Sequence, residues 1–293
     1  MRCGARLGSG EKGADWQATV PERLARALGS QFSVIGELGR GGFAVVYSVR
    51  DSKRGQYLAI KVMRPDLMPS GSMMERFRRE AQFISQLDHP NILPVIFTGK
   101  EAGLVYYAMP RVRGPSLRGR LDAEGRLGVE EARRVFCEIA AGLGHAHERE
   151  VIHRDVKPAN IMLENGKTVR IVDFGIAKAI SSGTGGLTAT GEIIGSAEYM
   201  SPEQAGGKRD IDHRSDIYAL GIVGYETLIG EPPFRGTSFH DVMVKHFSDP
   251  APDPRELRPE VPHSLARAVL RCLAKEPGDR WATATEAAQA ALG

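Results

Sequence analysis

Between residues 152 and 175 the chain gathers groups of the kind that handle phosphate and magnesium. Ile152-His153-Arg154-Asp155-Val156-Lys157-Pro158-Ala159-Asn160 sets two cations, a carboxylate and an amide behind an apolar strand. Asp173-Phe174-Gly175 follows a second apolar run, Val169–Val172. A carboxylate and an amide carbonyl from neighbouring loops make a hard-oxygen site suited to Mg²⁺. Another carboxylate beside them can orient a hydroxyl nucleophile. The plain alternative is a polar turn between two hairpin strands, which leaves the joint appearance of these groups unexplained.

Upstream, Gly39-Arg40-Gly41-Gly42-Phe43-Ala44-Val45-Val46 reads as strand, turn, strand. Glycines there let the backbone close over a ligand and offer N–H groups to phosphate oxygens. A dinucleotide-binding turn would need a helix directly after the glycines, and a strand follows instead. The Gly-Lys-Ser/Thr of a P-loop is absent too. An ordinary glycine-rich hairpin remains open on these residues alone. Leu58-Ala59-Ile60-Lys61 ends an apolar strand on a lysine that is costly to turn inward unless paired. Glu80, one turn before Ile84, could be the partner; two solvated charges are the alternative.

Elements must position these groups. Residues 1 to about 20 lack an apolar period and read as a mostly disordered lead-in, with a short amphipathic helix over Glu22–Leu28. Alternating β-branched and aromatic residues predict three antiparallel strands within Phe32–Val62, broken at Gly39–Gly42 and Asp51–Gln56. A helix over Met73–Leu87 and strands over Ile92–Thr98 and Leu104–Met109 come next. Long helical patterns then dominate: Val129–Glu148, Arg214–Ile229, His240–Phe247, Ser264–Ala274 and Thr283–Leu292. The loop-rich stretch 151–213 holds most of the polar motifs. The expectation is an α+β fold of two lobes: an N-terminal extension over 1–31, a small β-rich lobe over 32–110, a hinge at 110–114, and a larger helical lobe over 115–293.

Composition narrows the classes. The chain has 293 residues and a net charge of +3, too little to imply nucleic acid; the basic run Arg76–Arg79, broken by Phe77, reads as a solvated helix face. Cys3, Cys137 and Cys272 are far apart, without metal spacing, which suits a reducing compartment. No apolar run approaches the ~18 residues of a membrane span, nor is there a signal-peptide core. Cytoplasmic placement is expected.

Taken in order, the glycine loop, Ala59-Ile60-Lys61, Glu80, His153-Arg154-Asp155 with Lys157 and Asn160, Asp173-Phe174-Gly175, Ser201-Pro202-Glu203, the stretch from Asp216 to Gly221, and Arg280 resemble the eukaryotic-type protein kinase family. The resemblance covers about residues 32–290. Gly-Arg-Gly-Gly-Phe-Ala and Tyr-Met-Ser-Pro-Glu-Gln are similar to bacterial members, and Lys157-Pro158-Ala159-Asn160 to the serine/threonine branch. It implies a bilobal fold and transfer of the γ-phosphoryl of ATP, with Mg²⁺ or Mn²⁺, to protein hydroxyls. Gly39, Gly41 and Gly42 would cover the phosphates; Lys61, held by Glu80, would grip the α- and β-phosphates. Asp155 would be the base, Lys157 would touch the γ-phosphate, and Asn160 and Asp173 would bind the metal. Adenine would sit where the lobes meet, among Leu38, Val46, Ala59, Met109, Pro110, Val112 and Met162. Glu203 would pair with Arg280.

The sequence departs from the family pattern at Ala44 for the third glycine, Ser201 for alanine, and Ser196 for threonine, whose hydroxyl could still bridge Asp155 and Lys157. Thr188 and Thr190 are the expected phosphosites of an activation segment over 176–200, with Arg154 supplying the guanidinium that a phosphate orders. Partners would be protein substrates, the chain itself by autophosphorylation, and, at family level, a second copy pairing through the small lobe. Two rivals stand beside this reading: a pseudokinase acting as an ATP-binding scaffold, and a small-molecule phosphotransferase. Bacterial relatives often continue into a membrane span and a sensor, so the chain is either a free kinase or a piece of a longer protein.

Overall fold

The computed structural model describes residues 16–42, 44–64, 79, 81–174, 197–208 and 210–293. They fall into two units: one holds the described residues up to 64 with Thr98–Ala108, the other those from 79 to Phe97 with Met109–Gly293.

The described part of the first unit begins with helix α1 (Trp16–Leu28), which starts six residues ahead of the expected Glu22. Val20 and Leu24 lie one turn apart, share a face and are both fully buried. Strands β1 (Phe32–Arg40), β2 (Ala44–Asp51) and β3 (Gln56–Met63) form the expected meander. With β4 (Phe97–Glu101) and β5 (Leu104–Pro110) they complete one sheet in the order β1-β2-β3-β5-β4. Asp51 closes the β2–β3 turn: its Oδ1 accepts from Lys53 N at 2.9 Å, Arg54 N at 3.2 Å and Gln31 Nε2 at 3.0 Å. The β4–β5 turn has positive φ at both central residues, 51° at Ala102 and 69° at Gly103, as the twist of a two-residue hairpin requires. Arg23 of α1 clamps it, donating from Nε (3.1 Å) and a terminal nitrogen (2.9 Å) to Ala102 O.

The strand expected from Ile92 begins only at Phe97. Its first residues are used elsewhere: Leu93 N donates to Ile171 O at 2.9 Å and Ile171 N to Asn91 O at 2.8 Å. Pro94 then has no N–H to carry a ladder onward. Of the helix expected over Met73–Leu87, residues 81–84 are described and helical, with Ile84 and Leu87 buried.

Among the described residues, the second unit carries a hairpin, β6 (Ile161–Glu164) and β7 (Thr168–Ile171), and eight further α-helices. These are α2 (Leu117–Glu124), α3 (Val129–His147), α4 (Pro202–Ala205), α5 (Arg214–Ile229), α6 (Phe239–Ser248), α7 (Pro254–Leu257), α8 (His263–Cys272) and α9 (Ala284–Leu292). The five long ones match their expected spans within two residues. Helix α5 is buried from Ser215 through Leu228, the mark of a helix apolar on nearly every side. It approaches α3 so closely that a β-carbon on Gly224 would meet the Phe136 ring at 2.7 Å. Near the expected hinge, Gly114 has φ +142°, and a β-carbon there would lie 2.0 Å from Leu163 O. Only glycine fits.

Candidate active site

Polar residues on α5 are the anchors of the site. Asp216, 1% exposed in the first turn, accepts from His153 N (Oδ2, 2.7 Å) and Arg154 N (Oδ1, 2.7 Å), and its Oδ2 also meets His147 Nε2 at 2.9 Å. Burial alone would raise the Asp216 carboxyl; the contacts with His147 and His153 outweigh it and hold it below the ordinary value. One carboxylate thus fixes two successive amides of the loop that carries Asp155.

His153 locks the same loop from within. Asp155 N donates to its Nδ1 at 3.2 Å, so the ring proton sits on Nε2 and donates to Val172 O at 3.0 Å. Burial depresses the imidazole pKa against the pull of Asp216, which keeps this neutral tautomer. The ring also packs on Phe174, 4.6 Å between centroids. His153 therefore ties the Asp155 loop to the segment bearing Asp173. Arg154 (φ 63°) and Asp173 (φ 61°) both occupy the left-handed region, which ordinary side chains enter at a cost.

Asp155 Oδ2 receives Lys157 Nζ at 3.0 Å and Asn160 Nδ2 at 3.0 Å, and Asn160 Nδ2 also reaches Asp155 O at 2.8 Å. The carboxylate plane is set by these donors while the side chain keeps 19% exposure, within reach of a substrate. Asn160 spends its amide nitrogen on Asp155, so its oxygen is the atom left for a cation. Val172 N donates to Asn160 O at 2.9 Å, which places Asp173 one residue beyond that backbone contact. Among the described residues no group of three or more His, Cys, Asp or Glu gathers for a metal. An amide oxygen and one carboxylate fit Mg²⁺, whose shell is otherwise filled by water and phosphate.

The segment after the site is held equally firmly. Ser201 and Gln204 form a reciprocal cap on α4, and Gln204 Nε2 donates to Arg154 O at 3.0 Å. Glu203 and Arg280 pair as expected, at 2.7 and 2.8 Å, and Ser215 Oγ donates to Glu203 at 2.6 Å. Burial opposes ionisation of Glu203, yet these donors bring its pKa down to about 2.

In the other unit, register sets Gly39 opposite Val46 and Val46 opposite Lys61. The three form a row across β1, β2 and β3, and Ala59, two residues before Lys61, shares that face. Gly41 N donates to Ala44 O at 2.9 Å and Gly42 O accepts from Arg64 at 3.1 Å, so the glycine turn is closed by its own backbone and one guanidinium. Leu38, in a bulge of β1, is exposed; Ala59 is buried. Met109 and Pro110 end β5, with Met109 buried and Pro110 and Val112 half-buried. Met162, half-buried on β6, bridges to Ser116. Glu80, Thr188, Thr190 and Ser196 lie outside the described residues.

Two features escaped sequence reasoning. The double grip of Asp216 had a signal, a carboxylate in a run of apolar helix. The contacts of Glu226 with Arg118 and with Tyr199 had none, since the three are far apart in the chain.

A family model described as protein kinase domain matches residues 32–292. The chain is 38% identical to serine/threonine-protein kinase PrkC of Bacillus subtilis over 263 residues, 90% of this chain and 40% of that one. It is 42% identical to serine/threonine-protein kinase PknB of Mycolicibacterium smegmatis over 274 residues, 92% of this chain and 43% of that one. It thus spans about two-fifths of the length of these curated relatives. Among solved structures, the Mycobacterium tuberculosis PknI kinase domain superposes with a TM-score of 0.70 at 28% identity, covering 89% of this chain and 94% of that one. With the Asp155 loop built as above and the match running through nearly all of its length, the chain belongs to the protein kinase family, in its bacterial serine/threonine branch.

Proposed function

We propose that the chain transfers the γ-phosphoryl group of ATP to serine and threonine hydroxyls of proteins, itself included. The observation that carries this reading is the Asp155 carboxylate, fixed by Lys157 and Asn160 on a loop whose backbone is pinned by Asp216 and His153. Asp155 orients the acceptor hydroxyl and takes its proton, and Lys157 offsets charge on the transferring group. Gly39, Gly41, Gly42 and Lys61 bind the phosphates, and Leu38, Val46, Ala59, Met109, Pro110, Val112 and Met162 bind adenine. Asn160 and Asp173 hold Mg²⁺ or Mn²⁺, which when bound neutralises phosphate charge. Glu80 is proposed to brace Lys61.

Thr188 and Thr190 are the proposed autophosphorylation sites. Cytoplasmic placement and pairing of two copies through the smaller unit are proposed with them, the former supported by the spread of the cysteines. Among the described residues no helix is long and apolar enough to cross a membrane.

The test is incubation with Mg·ATP followed by intact-mass and phosphosite mapping, beside Asp155→Asn, Lys61→Met and a sample treated with EDTA. Phosphate on Thr188 or Thr190 in the parent, reduced by about a hundredfold or more in both variants and absent with chelator, is expected. A parent that binds ATP but modifies neither itself nor any added protein refutes the reading in favour of a scaffold.

A further inference from the structure

The peptide plane between Arg154 and Asp155 carries the base, and both of its polar ends are held. Its N–H donates to His153 Nδ1 at 3.2 Å, a bond made inside the loop. Its carbonyl, Arg154 O, accepts from Gln204 Nε2 at 3.0 Å, a bond from α4, 50 residues along the chain. Another contact orients the Gln204 amide. Ser201 N donates to its Oε1 at 3.1 Å, and because an N–H must meet an oxygen there, Nε2 is turned towards Arg154. Gln204 also has a firm seat. Its N donates to Ser201 Oγ at 3.3 Å, Ser201 Oγ donates to Ser215 Oγ at 3.2 Å, and Ser215 Oγ donates to Glu203, the partner of Arg280.

The residue type carries information of its own. Glutamate closes a capping box as well as glutamine does, and its charge suits a helix N-terminus better. At position 204 a carboxylate would still accept from Ser201 N, but it would set a negative oxygen against the Arg154 carbonyl. The cap alone gives no reason for glutamine; the second bond does, since it needs a donor. Arg154 adds to the demand. Its φ of 63° lies in the left-handed region, so a plane released at its oxygen relaxes towards an easier backbone and takes Asp155 with it.

We propose that Gln204 is a positioning residue for the base, acting through the Arg154 carbonyl on the orientation of the Asp155 carboxylate. This rests on the kinase reading above. Gln204 is none of the residues assigned to nucleotide or metal, so its effect falls on kcat rather than on either KM.

The experiment measures steady-state phosphorylation of a peptide copying residues 183–195 by the parent, Gln204→Glu, Gln204→Met, Asp155→Asn and the Asp155→Asn/Gln204→Glu double variant, with the Tm of each. Gln204→Glu keeps the cap and loses the donor: kcat is expected to fall about tenfold, with the KM for ATP and for peptide within about twofold and Tm within about 2 °C. Gln204→Met loses the cap as well, so it is expected to show the same fall in kcat and a lower Tm. Because Gln204 acts through Asp155, Gln204→Glu is expected to cost less than about twofold more once Asp155 is Asn. An unchanged kcat in Gln204→Glu, a loss carried by either KM, or the same tenfold loss in the Asp155→Asn background overturns the proposal. A fall in kcat that follows Tm across the variants overturns it too, by making Gln204 a cap and nothing more. A parent without any transfer overturns the kinase reading and this inference with it; an active parent with an indifferent Gln204→Glu overturns this inference alone.

Discussion

Replacing Glu203 by Gln keeps the shape of the side chain and removes only its charge. Glu203 is 7% exposed on its side chain and Arg280 is fully buried, so the guanidinium left behind finds no water to replace its partner. The other Arg280 contacts, to the carbonyls of Ala274, Arg214 and Lys275, are neutral and cannot balance it. Breaking one side of a buried pair costs about 3–5 kcal/mol. The carboxyl gives a second route to the size of the effect: a drop from 4.5 to about 2 corresponds to about 3 kcal/mol of stability at neutral pH. A group whose folded pKa is depressed contributes fully above its unfolded pKa and loses that contribution as pH falls towards the folded value. The advantage of the parent over Glu203→Gln is therefore expected to be about 3 kcal/mol at pH 7 and about 2 kcal/mol at pH 3.5. Urea unfolding of both proteins at the two pH values measures it. A difference below about 1 kcal/mol at pH 7, or a gap that does not narrow in acid, refutes the reasoning.

Other perturbations follow from the same geometry. Gly114→Ala meets both a forbidden backbone angle and the Leu163 carbonyl; a loss of about 3 kcal/mol, read as a fall of about 5–10 °C in Tm, is expected by calorimetry. Asp216→Asn turns an NH₂ towards one of the amides that Asp216 now receives, His153 N or Arg154 N. The Asp155 loop should loosen, with kcat down about tenfold or more and ATP affinity unchanged by calorimetric titration.

Much of the fold was legible because the long helices carry strong patterns: α5 is apolar on nearly every side, and α8 and α9 alternate faces over several turns. The β1–β2–β3 meander announced itself through Gly39–Gly42 and the Asp51 turn. Helix α2 did not, since it buries only Leu117 and Leu121 and has Gly119 within it. The onset of β4 was misplaced because Ile92 and Leu93 look like a strand and pair with Ile171 instead, a tertiary choice that no local pattern encodes. At the site, Asp155, Lys157, Asn160 and Asp173 stood out by type and spacing. The reasons they hold still did not: the tautomer of His153, the two amides on Asp216 and the left-handed backbone at Arg154 and Asp173 exist only once distant segments meet.

Helix α1 bears on where this protein can be cut. The match to the kinase family begins at Phe32, and an expression boundary drawn there would discard α1 whole. Yet Val20 and Leu24 are sealed against water, each burial contributing about 2 kcal/mol, and Arg23 is the clasp on the Ala102 carbonyl. A truncated protein would uncover a greasy strip along the surface that α1 now covers and release the tip of the β4–β5 hairpin. Its purification would be troubled by clumping, and its turn amides would exchange with deuterium far sooner than those of the longer chain. The segment outside the family's outline is, mechanically, part of the small unit's wall.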